Sequence, residues 1–336
     1  MKLVSYKKNG AIRSALFVDK KIHDMQENAA AIGITLPATM LELLQMEDEG
    51  MRLANTLHAA ILNSKTSLSI SNAVLVAPIP NPSSCRDAYA FRQHVATARR
   101  NRGVPMIPEF DQYPVFYFTN HNAIYGEGDI LVEDDHLQKL DFELEVTAII
   151  GKKGKNISAQ NADSYIAGYT IMNDLSARLL QIDEMKLNLG PAKGKDFATV
   201  IGPWLVTPNE LESFKIETNS GITYNLQMEA FHNGTKISDG NMKDMNWTFA
   251  EIIERISYGT EIYPGDVIGS GTVGTGCYLE LNGTKALQAK EKGETYQPVW
   301  LNEGDTIELS IESLGKLTNR IVKAPGNYSI LSKKKI

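Results

Sequence analysis

Several short stretches carry residue types that could do chemistry. Glu143 and Glu145 stand two apart in the run DFELEV. On a strand, residues i and i+2 share a face, so both carboxylates point one way while Leu144 and Val146 point the other. Two carboxylates held side by side repel unless a cation lies between them. An oxygen-rich site of this kind suits Mg2+, Ca2+ or Mn2+ rather than zinc. Taken alone, the pair also fits an exposed strand with two solvated glutamates. Asp174 closes the apolar run YTIMND. It is placed there as a third ligand or as the N-cap of a following helix.

Asp87 and His94 lie seven residues apart in CRDAYAFRQHVATARRNRG. That is close to two helical turns, so one helix face could carry both. The aspartate could orient the histidine, or bind metal while the histidine acts as base. The alternative is a basic amphipathic helix with a structural histidine and solvated Arg92, Arg99, Arg100 and Arg102. In LGPAKGKDFAT (residues 189–199) small residues would let the backbone approach a ligand, with Lys195 steadying developing negative charge. A polar surface turn is the other reading. The glycine spacing is not that of a phosphate-binding loop. Residues 269–276, GSGTVGTG, lead into CYLEL, which reads as a strand. A dinucleotide fingerprint needs a helix there and is therefore rejected, although backbone amides and Thr272 could hold an anion.

The elements that must position these residues are mostly short strands. LVSYK and ALFVD flank Asn9-Gly10 and predict a hairpin over residues 1–19. Apolar residues at helical spacing predict a helix over 39–62, and prolines end a short strand near residue 82. A domain boundary is placed near residue 75. Beyond it, residues 142–151 predict a strand. Residues 162–167 predict a helix feeding the strand GYTIMND. Residues 216–231 and 295–311 predict antiparallel strands, with His232-Asn233-Gly234 as a turn. Thr248 and Glu251 have capping-box spacing ahead of an amphipathic helix over 248–257. The tail LSKKKI predicts a frayed, basic end.

The chain has 336 residues with 40 acidic and 34 basic side chains, a net charge of −6. That balance argues against nucleic-acid binding. Two cysteines exclude a disulfide framework and a cysteine-rich zinc site. No apolar run has the length of a membrane span or a signal-peptide core, so a cytoplasmic location is expected.

Taken together and in order, these stretches resemble the fumarylacetoacetate hydrolase family. The pattern runs through almost all of residues 78–323. It comprises Asp87, Tyr89, Gln93 and His94; Pro114 to Tyr117; Glu143 and Glu145; Asn173, Asp174, Ser176, Ala177, Arg178 and Gln181; Gly190 to Lys195 and Thr199 with Pro203-Trp204; and Gly269 to Thr272 with Leu279-Glu280. The resemblance implies an α+β chain, mainly β. Its catalytic core would be a β-roll over residues 76–330, with a small N-terminal domain over 1–75, usually in a homodimer. It implies a divalent metal on Asp87, Glu143, Glu145 and Asp174, with Mg2+ first and Ca2+ or Mn2+ as alternatives. It makes His94 the general base, Glu280 its orienting partner and Lys195 a catalytic cation. Tyr89, Gln181 and Thr272 match substrate contacts. The family's substrate-binding arginine aligns only across a gap, which leaves Arg99, Arg100 and Arg102 as candidates, Arg100 being the working choice. Met185 stands where animal enzymes carry tyrosine, and the glycine-rich loop is shorter. These departures bear on the substrate and not on the metal. The expected substrate is a small diketo or 2-oxo acid. The expected reaction is C–C hydrolysis of a β-diketo acid such as fumarylacetoacetate or an acylpyruvate. The same-site alternatives are decarboxylation of a 2-oxo acid, or hydration or isomerisation of a 2-oxo-enoate. A non-catalytic binding protein would be expected to lose His94 or Glu280, and both are present.

Overall fold

The computed structural model describes residues 1–63, 68–70 and 73–333. Asn9 and Gly10 adopt φ of 49° and 80°, the left-handed pair that a tight hairpin turn requires. They join strands Lys2–Lys8 and Ala11–Val18 as the sequence predicts. This hairpin does not stand apart from the rest. Lys2–Lys8 pairs antiparallel with Thr199–Val206 and so extends a large sheet. From Lys2–Lys8 inward, the order is Thr199–Val206, Ile166–Asp174, Leu144–Ile150, Val267–Gly269, Cys85–Ala88 and Phe116–Thr119. A second sheet has the order Thr235–Asn241, Gln227–His232, Thr306–Ile311, Gly315–Lys323, Gly128–Val132.

The alternation of side chains sorts the central strand into two faces. Leu144, Val146, Ala148 and Ile150 pack into the core with Met228, Ile307, Leu309 and Leu317 of the second sheet. Ile149 and Met172 face the other way, into a second core with Leu43, Leu44 and Leu57 of the N-terminal helices. Both faces are apolar because both are covered. Glu145 shares the second face, so its carboxylate lies buried within the fold.

Several elements differ from expectation for identifiable reasons. The helix over 39–62 is two helices, Met40–Gln45 and Glu47–Asn63, and Glu47 between them has a φ of 52°. The helix before GYTIMND spans only Ala159–Ala162 and gives way to a short turn, so Ile166 and Ala167 are already strand. Residues 216–231 form pieces of three strands, Lys215–Thr218, Gly221–Tyr224 and Gln227–His232. Only Thr306–Ile311 of the stretch 295–311 is a strand, and it pairs antiparallel with Gln227–His232. The CYLEL stretch belongs to a helix, Tyr278–Glu291, and not to a strand. Its short apolar run, Cys277 to Leu279, suits either element. The last three residues of the basic tail, 334–336, lie outside the described residues.

The helix Phe249–Ser257 forms as predicted. Thr248 accepts the Glu251 N–H at 3.2 Å, and Glu251 accepts the Thr248 N–H at 2.9 Å. This reciprocal pair satisfies two donors that the first turn would otherwise leave free. Thr248→Ala should lower stability by about 1–2 kcal/mol, read as a shift in urea midpoint at unchanged slope.

Candidate active site and metal centre

Four neighbouring strands bring the acidic residues together. Asp174 ends Ile166–Asp174, Glu145 lies near the start of Leu144–Ile150, and Asp87 lies on Cys85–Ala88. Val267–Gly269 runs between the last two, with Gly269 opposite both Thr147 and Asp87. A Cβ at Gly269 would fall 2.4 Å from Asp87 Oδ1 and 2.9 Å from Glu145 Oε2. Glycine is therefore what leaves room for two carboxylates to face each other across a strand. Glu143 enters from the residue just before Leu144, with its N–H donating to Asn173 Oδ1 at 3.0 Å. The outcome is a set of four buried side chains, Asp87, Glu143, Glu145 and Asp174, whose ligand atoms all lie within 4.8 Å of one another.

Protein donors satisfy only part of this set. Lys195 Nζ donates to Glu143 and, at 2.6 Å, to Asp174. Arg178 donates from Nη2 to Glu143 at 2.6 Å and from Nε to Asp141 at 2.8 Å. The Tyr117 hydroxyl donates to Asp174. The Gly271 N–H is shared between Asp87 at 3.0 Å and Glu145 at 3.1 Å. Glu145 Oε1 and Asp174 Oδ1 are buried and have no partner among the described residues. An orphaned buried carboxylate oxygen costs free energy. Two such oxygens in one cluster fit a divalent cation, and their all-oxygen chemistry suits a hard one.

The electrostatics agree. Burial, then repulsion from Asp174, pushes Asp87 up to about 7. Burial also raises Glu145 and Asp174, with repulsion from Asp87 adding for Glu145 and from Glu143 for Asp174. Burial would raise Glu143 too, but Lys195 and Arg178 outweigh it and hold that carboxyl at about 2. Lys195 is held above its ordinary value because Asp174 and Glu143 outweigh the cost of burying it.

The second half of the site is a pair. His94 is buried on the helix Arg92–Asn101, and its Nδ1 meets Glu280 Oε2 at 2.6 Å. Glu280 lies in the first turn of Tyr278–Glu291, and its Oε1 accepts the Thr275 N–H at 3.1 Å. Asn101 joins the two helices by donating to the Glu280 carbonyl at 3.0 Å. Hydrogen bonds tie the pair to the cluster: Arg178 bridges Glu143 to Asp141, and Asp141 accepts the Leu279 N–H in the helical turn that carries Glu280. With Nδ1 engaged, Nε2 is the ring atom left for proton transfer.

The expected helix carrying both Asp87 and His94 does not exist. Asp87 is on a strand and His94 on the next helix, because the chain turns between them at Tyr89 to Phe91. Asp174 caps no helix, since Arg178–Met185 has Ala177 at its N-cap and no side-chain cap bond. The glycine-rich loop does lead into a helix, so the strand argument against dinucleotide binding fails. Asp141 supplies a different one, because its carboxylate already accepts the N–H groups of Tyr278 and Leu279 at the helix start.

Tyr89 packs edge-on to His94, with ring centroids 5.9 Å apart. Gln181 accepts from Arg178 Nη1 at 2.8 Å, which leaves its own NH2 free of that bond. Thr272 is buried. Arg100 reaches toward Thr284 at 3.5 Å on the outer side of the helix pair, and Arg99 donates to the Pro105 carbonyl. Arg102 donates from Nε to the Ala98 carbonyl of its own helix at 3.1 Å. Arg178, Tyr117 and Asp141 are contacts to which sequence reasoning gave no role. A signal for Asp141 was present, since it precedes Glu143 and Glu145 at the same two-residue interval.

The fold and this site define an enzyme of the fumarylacetoacetate hydrolase superfamily. Residues 84–322 match the family described as fumarylacetoacetate (FAA) hydrolase C-terminal, and the chain belongs to that family. It is 28% identical over 328 residues to the oxaloacetate tautomerase YisK of Bacillus subtilis, covering 93% of this chain and 98% of that protein. A mitochondrial oxaloacetate tautomerase of Homo sapiens is 28% identical over 296 residues, covering 88% and 83%. Among solved structures, a fumarylacetoacetate hydrolase from Exiguobacterium antarcticum superposes with a TM-score of 0.68 at 23% identity, covering 96% of this chain and 100% of that one. Among the described residues, no helix is long and apolar enough to cross a membrane.

Burial raises Asp87, Glu145 and Asp174 above the range near pH 4 in which an unfolded chain releases its carboxyl protons. Metal-free protein is therefore most stable at low pH in this respect, and should lose stability as pH rises from about 4 to about 7. Adding Mg2+ or Mn2+ should raise the melting temperature more at about pH 7.5 than at about pH 5, as scanning calorimetry would show. Gly269→Ala and Asp174→Ala should each abolish that metal-dependent rise.

Proposed function

We propose that this chain is a metal-dependent enzyme that moves a proton at the carbon next to the carbonyl of a small 2-oxo acid. Keto–enol tautomerisation of an oxaloacetate-like dicarboxylate is the leading reaction. The observation that carries this reading is the buried His94–Glu280 pair set beside four buried carboxylates with two unsatisfied oxygens. The names of the relatives that align over most of their length support the substrate class. We assign Asp87, Glu143, Glu145 and Asp174 as the residues that would hold the ion. A divalent cation bound there supplies Lewis acidity to an oxo group.

His94 Nε2 takes the proton from carbon and returns it to oxygen, or the reverse. Glu280 fixes the ring orientation and favours the charged imidazolium that forms. Lys195 spends two of its hydrogen-bonding directions on Glu143 and Asp174, and its third N–H can meet the enolate oxygen. The Gln181 amide adds a neutral donor. Tyr89 packs beside His94 and limits water at the base. This is preorganised stabilisation, because the donors are fixed before charge develops.

Hydrolysis of a β-diketo acid is the second reading. The same His94–Glu280 pair can take a proton from water as well as from carbon. The two reactions separate by product. NMR of metal-reconstituted protein with oxaloacetate and with acylpyruvates should show accelerated keto–enol interconversion of the former without loss of carbon. Cleavage of an acylpyruvate into two acids would replace tautomerisation with hydrolysis. Activity on neither would reject both. In either reaction, His94→Ala should lower kcat by roughly 10²–10⁴-fold while calorimetry shows Mn2+ affinity unchanged.

A further inference from the structure

Asp141 is wholly buried, yet no step above uses it. It lies on the two-residue strand Leu140–Asp141, which pairs antiparallel with Ser176–Ala177, just beyond Asp174. Both of its oxygens are fully engaged. Oδ1 accepts the N–H groups of Phe142 at 2.9 Å and Tyr278 at 2.7 Å. Oδ2 accepts the Leu279 N–H at 2.9 Å and Arg178 Nε at 2.8 Å.

These four bonds run to two different parts of the site. The Tyr278 and Leu279 amides open the helix Tyr278–Glu291, whose N-cap residue, Cys277, makes no side-chain cap bond. Asp141 supplies that cap from 136 residues upstream, and its negative charge is favourable at a helix N-terminus. Glu280 sits in the turn so capped and holds His94. On the other side, Arg178 is gripped by Asp141 through Nε and presents Nη2 to Glu143 at 2.6 Å. Arg178 therefore has its orientation fixed by Asp141 before it meets the cluster.

We infer that Asp141 is a positioning residue that couples the base pair to the carboxylate cluster, so that placement of Glu280 and placement of Glu143 depend on one side chain. The inference rests on the metal and base assignments above, and it has consequences that do not require turnover. Partners that orient metal ligands typically contribute 10–100-fold to affinity. A carboxylate replaced by an amide keeps the shape but presents an NH2 to donors, so one of the two sets of bonds is lost.

The test uses the full chain with Mn2+ as the probe. Asp141→Asn should bind Mn2+ about 10–100-fold more weakly by calorimetry. Its Tyr278 and Leu279 amides should exchange with deuterium faster, while Phe249–Ser257 is unchanged. Its kcat should fall more than its KM rises, and combining it with Glu280→Gln should give less than the product of the two losses. Unchanged Mn2+ affinity and unchanged amide exchange in a folded Asp141→Asn protein would overturn the proposal while leaving the metal site intact. A wild-type protein that binds no Mn2+ would instead overturn the site reading on which it rests. Should the variant fail to fold, the wild type decides. Mn2+ should slow exchange at Tyr278 and Leu279, and no slowing would overturn the coupling.

Discussion

The structure depends on how it manages buried negative charge. Asp87, Asp141, Glu143, Glu145 and Asp174 are all buried, and among the described residues only two cationic side chains, Arg178 and Lys195, lie within hydrogen-bonding reach of them. Isolated buried carboxylates of this kind are far too costly to persist ionised. The fold has three remedies. It aims Arg178 and Lys195 at Glu143, shares the Gly271 amide between Asp87 and Glu145, and leaves the residual excess to be neutralised by protons or by a cation. The proton route explains why Asp87, Glu145 and Asp174 are raised while Glu143 is lowered. The cation route explains the two oxygens without protein partners.

A sheet is the means by which such a cluster can be built at all. Strands about 5 Å apart bring side chains from distant parts of the sequence into register. Burial on both faces then removes the water that would otherwise screen them. The apolar partners of the central strands, Leu144 and Val146 on one side and Ile149 and Met172 on the other, fix that register. Slipping one residue would exchange Glu145 for a leucine or valine and lose the site. The N-terminal hairpin and helices complete the second core against which Met172 and Ile149 pack, so they cover the same sheet face that carries Glu145.

Much of this was legible in the chain, and the limits of legibility are physical. The E-x-E interval, the strand that ends at Asp174, the Asn9-Gly10 hairpin and the Thr248 capping box all follow from local rules of periodicity and turn chemistry. They appear in the structure, although the strand predicted over 142–151 is Leu144–Ile150 and Glu143 enters from the residue before it. What local rules could not supply is which elements meet. Asp87 and His94 have helical spacing but belong to a strand and a helix, because tertiary pairing with Val267–Gly269 claims residues 85–88. CYLEL reads as a strand but opens a helix, whose first amides donate to a carboxylate 137 and 138 residues upstream. The ordered set of motifs, rather than any one of them, carried the family resemblance, and the family assignment agrees with it. The arginine choice turned on a loop where spacing holds no information. Each of the three is engaged locally, Arg100 with Thr284, Arg99 with the Pro105 carbonyl and Arg102 with the Ala98 carbonyl of its own helix.

On the function proposed above, the buried acidic cluster is a cation site that exchanges protons for metal. Calorimetric titration of metal-free protein with Mn2+ at about pH 7, repeated in buffers of different ionisation enthalpy, measures stoichiometry and proton release together. The account predicts one ion per chain, with net release of protons as Asp87 and its neighbours ionise around it. No binding, or binding without proton release, would contradict it.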